Sequence, residues 1–155
     1  MSRIYSAQVS AVAVTAAQDI FEVLAATAKS IYVHGWSLCQ TTDVGDAAEE
    51  VLRIETVRGV GSTSGSGGST PTAHPLNDTD AAVGATDEAN NTTRMTVGTL
   101  ETLEQYGWNI RIPWVHYYTP ELRPFIKAGD RWTLSLPAAP VDPITTSATI
   151  WFEEL

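Results

Sequence analysis

Short runs of alternating apolar and polar residues, each closed by Gly, Pro or Asp, are what most restrict the fold of this chain. Residues 51–57 (VLRIETV) set Leu52, Ile54 and Thr56 against Val51, Arg53, Glu55 and Val57. Residues 131–136 (RWTLSL) bring Trp132, Leu134 and Leu136 into register, and 144–152 (ITTSATIWF) is a Thr-rich run of the same kind. A period of two belongs to β-strands, whose successive side chains point to opposite faces. Residues 4–15 read as an extended segment, with apolar Ile4, Val9, Val12 and Val14. The following residues, 16–30, fit a short amphipathic helix or a strand, and the strand is preferred because clear strands follow at short intervals. In 29–40, Ile31, Val33, Gly35, Ser37 and Cys39 fall on one face and Tyr32, His34, Trp36 and Leu38 on the other. Apolar groups on both faces predict a strand covered twice, by a second sheet or a neighbouring subunit.

After a turn-rich connection at 41–50, the strand at 51–57 is expected to end at Arg58-Gly59. Further strands are expected at 95–106 and 108–115, with Pro113 at an edge or an end because it lacks a ladder donor. Residues 116–124 read as a turn, and 125–127 lead into a turn at Ala128-Gly129-Asp130. The sum is about seven to nine strands with evenly spaced turns, the pattern of an all-β antiparallel sandwich or barrel. A jelly-roll-like sandwich is the expected topology, with the first and last strands paired.

Between these strands lies a stretch with almost nothing to build a core. Residues 59–95 are Gly, Ser, Thr, Pro, Ala, Asn and Asp, with only isolated large apolar groups. Structureless loops beyond about 12–15 residues are uncommon in a compact domain and usually have a function or remain disordered. The flanking strands are too few for two cores, so residues 1–155 read as one domain with a single long excursion. Gly61, Ser64, Gly67, Gly68, Thr70, Pro71 and His74 are its candidate partner-binding residues. It is expected to reach a partner and order on it, and to be removable at 61–72 without loss of the fold.

Charge narrows the function. Nine basic against 18 acidic residues give a net charge of −9. Direct nucleic-acid binding requires cations to neutralise phosphates, so it is disfavoured. The single Cys39 allows no intrachain disulfide and is expected to be a buried, inert thiol. No apolar run approaches the roughly 20 residues of a membrane span, and the first residues lack a signal-peptide pattern. The expectation is a protein made in the cytoplasm and not held by a membrane.

The catalytic inventory is thin. His34, His74 and His116 form no HxH, HxxxH or HExxH pattern, so no metal and no cofactor is expected. The run SGSGGST lacks the Lys-Ser/Thr pair and the following helix of a phosphate-binding loop. The carboxylate pairs Asp43/Asp46, Glu49/Glu50 and Glu153/Glu154 have no neighbouring His or Lys in sequence and read as solvated. No G-x-S-x-G elbow is present. The aromatics say more: Trp108, Trp114, His116, Tyr117 and Tyr118 crowd one short run. With Trp36 and Arg58 they are the candidate interface, because Trp, Tyr and Arg are enriched where proteins meet. Packing into the core and a glycan-stacking platform are the other readings of the same cluster.

The order QDIFEVLA, KSIYVHGWSLCQ, GDAAEEVLRIETVRG, a Gly/Ser loop, TPELRPFIKAGDRWTLSLPAAP and a terminal FEE resembles small virion-associated proteins of tailed bacteriophages, most of all capsid decoration (cement) proteins. The resemblance spans most of the chain as a loose pattern and carries over no individual residue role. It implies a non-enzymatic structural protein on the capsid surface, binding the major capsid protein, commonly as a homotrimer. A carbohydrate-binding or receptor-binding head of a virion fibre is the alternative.

Overall fold

The computed structural model describes residues 3–41 and 49–155. Most of the 41–50 connection, including Asp43 and Asp46, lies outside the described residues. Every regular element among those described is a strand: β1 (Arg3–Val14), β2 (Gln18–Leu24), β3 (Ile31–Gln40), β4 (Val51–Val60), β5 (His74–Pro75), β6 (Thr86–Asn91), β7 (Thr99–Asn109), β8 (Trp114–Tyr117), β9 (Phe125–Ile126), β10 (Arg131–Leu136) and β11 (Ile144–Glu154). One sheet runs β5-β1-β11-β3-β8, with β9 also paired to β3, and the other runs β6-β2-β10-β4-β7. All pairings are antiparallel. Without the short β5, β6 and β9, the two sheets are β1-β11-β3-β8 and β2-β10-β4-β7, the strand order of a jelly roll. As expected, the first and last strands pair, from Arg3 opposite Glu154 to Val14 opposite Ile144. The inner faces close on one core, with Trp36, Trp132, Phe21, Ile54, Leu134, Ile150 and Phe152 all buried.

Four strands carry an extra residue, and these bulges explain where simple alternation misleads. Opposite β11, Trp151 pairs with Gly35 and Phe152 with Val33, so His34 is the inserted residue of β3. A one-residue insertion reverses the facing of everything beyond it. Ile31 and Val33 therefore face the core on one side of the bulge, and Trp36 and Leu38 on the other. The expectation of apolar groups on both faces, covered by a second sheet or a neighbouring subunit, is corrected in part: β3 has one apolar face that changes phase, and the second sheet covers it. In β1 the shift falls between Val9 and Val12, where Ala11 takes φ 52° and its N–H donates to Ser147 Oγ at 2.9 Å. The others lie at Ile20 of β2 and Leu103 of β7.

Boundaries shift elsewhere too. Strand β4 continues through Arg58 and Gly59 to Val60, since β7 pairs with it that far. The expected strands at 95–106 and 108–115 are instead β7 and β8, joined by a turn in which the Ile112 N–H donates to the Asn109 carbonyl at 3.0 Å. Residues 114–117, taken in part as a turn, form the edge strand β8 beside Gly35–Leu38. Cys39 is half-buried, with its thiol 3.5 Å from the Ser147 carbonyl.

The largest correction concerns residues 59–95. They are not an unstructured excursion. The outgoing limb lies antiparallel to the returning one through bridges Thr63–Thr96, Ser66–Thr93 and Ser69–Ala89. β6 then adds to β2, while β5 adds to β1 at the edge of the other sheet. Close approach is why this stretch is glycine-rich: a Cβ on Gly65 would strike the Thr93 carbonyl, and one on Gly68 the Ala89 carbonyl. Beneath the limbs, the outer face of β2 presents buried carboxylates. Glu22 accepts hydrogen bonds from Ser64 Oγ (2.6 Å) and the Gly65 N–H (2.9 Å) and pairs with Arg131 at 2.9 Å. Asp19 accepts from the Met95 N–H and from Ser135 Oγ, each at 2.6 Å. Burial raises the Asp19 pKa, and these hydrogen bonds, with Arg94 3.6 Å away, work against that rise. At the sandwich edge, buried Glu154 accepts from the N–H groups of Gly84 (2.9 Å) and Ala85 (3.0 Å) and pairs with Lys29 at 2.6 Å. The stretch is a cover sewn to the sandwich by polar bonds.

Candidate functional site

Two exposed surfaces stand out, and both involve β8. Strands β8 and β7 end their respective sheets on the same side of the sandwich. Where they join, Ile112 is 62 % and Val115 54 % exposed. With Trp114, Pro113 and Gly107 they line a shallow hollow of about 370 Å³. Trp108 forms its base: the ring is buried in the core, and its indole N–H donates to the Ile112 carbonyl at 2.9 Å, fixing the turn.

The second surface lies on the outer face of the β1-containing sheet. Gly35 is flanked by Trp151 on one side and Tyr117 on the other, a single row across β11, β3 and β8. Because Gly35 has no side chain, the two rings meet above it, with centroids 5.2 Å apart and planes at 33°. A Cβ there would lie 2.9 Å from Tyr117 Cδ1 and would also strike the His116 carbonyl. Tyr117 and Trp151, with Ile4, His34, Leu76 and Tyr118, line a groove of about 370 Å³. Tyr117 is 66 % exposed and Leu76 is exposed as well.

A charged cluster borders this groove. The β3 bulge directs His34 outward, where Nε2 lies 2.8 Å from Glu153 Oε2. Arg123 Nη1 donates to the same oxygen at 3.3 Å and lies 3.2 Å from His34 Nε2. Its guanidinium also sits over the Tyr32 ring, 5.2 Å from the centroid. The reading of Glu153/Glu154 as a solvated pair is thus corrected: alternation along β11 sends Glu153 to this outer cluster and Glu154 to the buried edge.

The sequence-derived interface set is divided by the fold. Trp36 (0 % exposed), Trp108 and Tyr118 are core residues and not surface contacts. Trp114 and His116 are half-buried and pack on Trp36 at 6.0 and 5.5 Å. Arg58 is half-buried and paired with Glu101 at 2.6 Å. Tyr118 donates to Glu104 at 2.5 Å, and burial, then this carboxylate, hold its phenol strongly protonated. Only Tyr117 of the set stands well exposed. In the loop set, Ser64 is tied to Glu22, Gly61 donates to Asp130 at 3.1 Å, and His74 lies in β5. Gly67, Gly68 and Thr70 are exposed at the rim of a polar hollow with Glu88 and Asn91, and Pro71 follows half-buried. Trp151, Gly35, Arg123 and Glu153 were missed. Trp151 was discoverable, since strict alternation along 144–154 points it outward.

Among the described residues no three His, Cys, Asp or Glu side chains cluster as metal ligands, and no helix is long and apolar enough to cross a membrane. No family model matches the chain, and no curated protein or solved structure matches it either. The fold and surfaces define an antiparallel, jelly-roll-like β-sandwich with two exposed aromatic or apolar hollows.

Proposed function

We propose that this chain is a non-enzymatic structural protein of a tailed-bacteriophage virion. It decorates the outside of the assembled head as a homotrimer and ties neighbouring major capsid subunits together. The observation that carries this reading is the apolar lip of Ile112 and Val115, set where both sheets end in edge strands. Exposed apolar groups beside open strand edges are favourable protein contacts and hazards if left bare. The resemblance to decoration proteins and the order of the jelly roll support the same reading. A protein that binds the closed shell and not its free subunits stabilises the shell by mass action. The net charge of −9 keeps the free protein soluble and directs it to basic partner surfaces.

The test is purification of intact particles with the protein present at a fixed ratio to the major capsid protein. Val115→Asp is expected to remove it from particles while the isolated protein keeps its fold. Full occupancy by that variant, or a protein that never accompanies particles, overturns the reading. Sedimentation of the isolated protein decides the trimer.

A further inference from the structure

We propose that the groove over Gly35 is a binding site for a neutral glycan, with Tyr117 and Trp151 as its stacking floor. The inference goes beyond shell decoration and uses a different hollow, two residues along β8 from Val115. A pyranose ring has an apolar C–H face and a rim of hydroxyls. It therefore matches an exposed aromatic surface bordered by hydrogen-bonding groups. The floor is built by a specific device: Gly35 leaves the row between Trp151 and Tyr117 empty, so the rings close over the backbone at 5.2 Å. At the border, Glu153 and Arg123 are held together at 3.3 Å. A carboxylate and a guanidinium side by side accept from and donate to neighbouring hydroxyls, with the added strength of charged hydrogen bonds. His34, 2.8 Å from Glu153, lines the groove itself.

Size and charge choose among occupants. About 370 Å³ falls within the range of about 300–1,000 Å³ usual for small-ligand sites. A protein contact needs roughly 800 Å² from each partner, whereas the neighbouring row, Thr149–Ser37–Val115, is polar at two of its three positions and apolar only at Val115. Nucleic-acid bases stack on aromatics too, but the chain carries a net charge of −9, which repels phosphate. A neutral, polyhydroxylated ring fits all three observations.

The experiment titrates the full chain with cellotetraose, chitotetraose and mannotetraose, followed by tryptophan fluorescence and calorimetry. Saturable binding of at least one is expected, weakened about tenfold or more by Tyr117→Ala and by Trp151→Ala, the loss of one aromatic stacking contact. Trp114→Ala, in the other hollow, is expected to leave it unchanged. Should Trp151→Ala fail to fold, Tyr117→Ala alone decides. No binding at millimolar sugar, or binding that survives Tyr117→Ala, overturns the proposal. Shell occupancy of Tyr117→Ala is expected to stay intact; its loss without any sugar binding would identify the groove as a protein contact. Val115→Asp, which tests shell attachment, is expected to keep sugar binding, so the two proposals fail separately.

Discussion

The two outer faces of the sandwich are finished in opposite ways. On the β2-containing sheet, the stretch at 59–95 lies over buried carboxylates and is tied to them by directed polar bonds: Ser64 and Gly65 to Glu22, Met95 to Asp19. On the β1-containing sheet, the outer face is open, and its central feature is the aromatic pair Tyr117–Trp151. The first face has converted polar groups into structure, where removing one partner strands the other in a dry place. The second leaves large apolar groups in water, where they stabilise little and remain available to a ligand. One face is closed by bonds, and the other leaves aromatic surface open.

That division breaks if substitutions on the two faces have similar effects. The largest effect is expected from Glu22→Ala, which removes the carboxylate paired with Arg131, the nearer of two carboxylates that accept from Ser64, and the acceptor of the Gly65 N–H. The expected loss is about 3–5 kcal/mol, as for other broken buried charge pairs, measured by urea denaturation. A loss below about 1 kcal/mol would mean that the cover is not anchored there. Removal of 61–72 is expected to destabilise by the same route.

The next largest effect is expected on the inner side of the same sheet, where Asp87 lies opposite the core residue Val23. Asp87 of β6 is buried, its Oδ1 has no hydrogen-bond partner, and burial raises its pKa from 3.8 to about 7. Between these values the folded chain binds more protons at this site than the unfolded chain. Its contribution therefore favours folding most below pH 3.8 and falls as pH rises to about 7, then stays level. Asp87→Asn is expected to remove this slope, so the stability difference between variant and parent widens in the variant's favour from pH 4 to pH 7. A pH-independent difference counts against the buried, unpaired carboxyl. The effect is of order a few kcal/mol, one pKa unit being worth about 1.4 kcal/mol.

The smallest expected change in stability is on the open face. Tyr117→Ala should change the unfolding free energy by no more than about 0.5 kcal/mol, as for exposed positions generally, while removing half of the aromatic floor. A loss of about 2 kcal/mol or more would make the ring a structural element and erase the contrast between the faces.

Much of the fold was legible from local pattern. The strict alternation in 144–154 marks β11 and its buried face, and RWTLSL marks β10. The bulges were not legible, because an inserted residue such as His34 is defined only by the partner it lacks in β11. The apparent two-faced strand came from that hidden phase change. Residues 59–95 misled for a related reason: they hold no apolar pattern, since their partners are carboxylates and carbonyls far away in sequence. The candidate site was half visible. Tyr117 stood out in its aromatic run, but its stacking partner Trp151 lies 34 residues later and meets it only across Gly35.

By itself, then, the sequence determined the class: strands throughout, Gly- and Pro-marked turns, a single core, an acidic surface. These follow from periodicity and composition, which act within a few residues. Tertiary structure alone decided the sheet order, the phase of each bulged strand, the fate of the Gly/Ser stretch and the pairing of Tyr117 with Trp151. Each of these depends on contacts between distant segments, whose registers are set jointly by the whole packed sandwich.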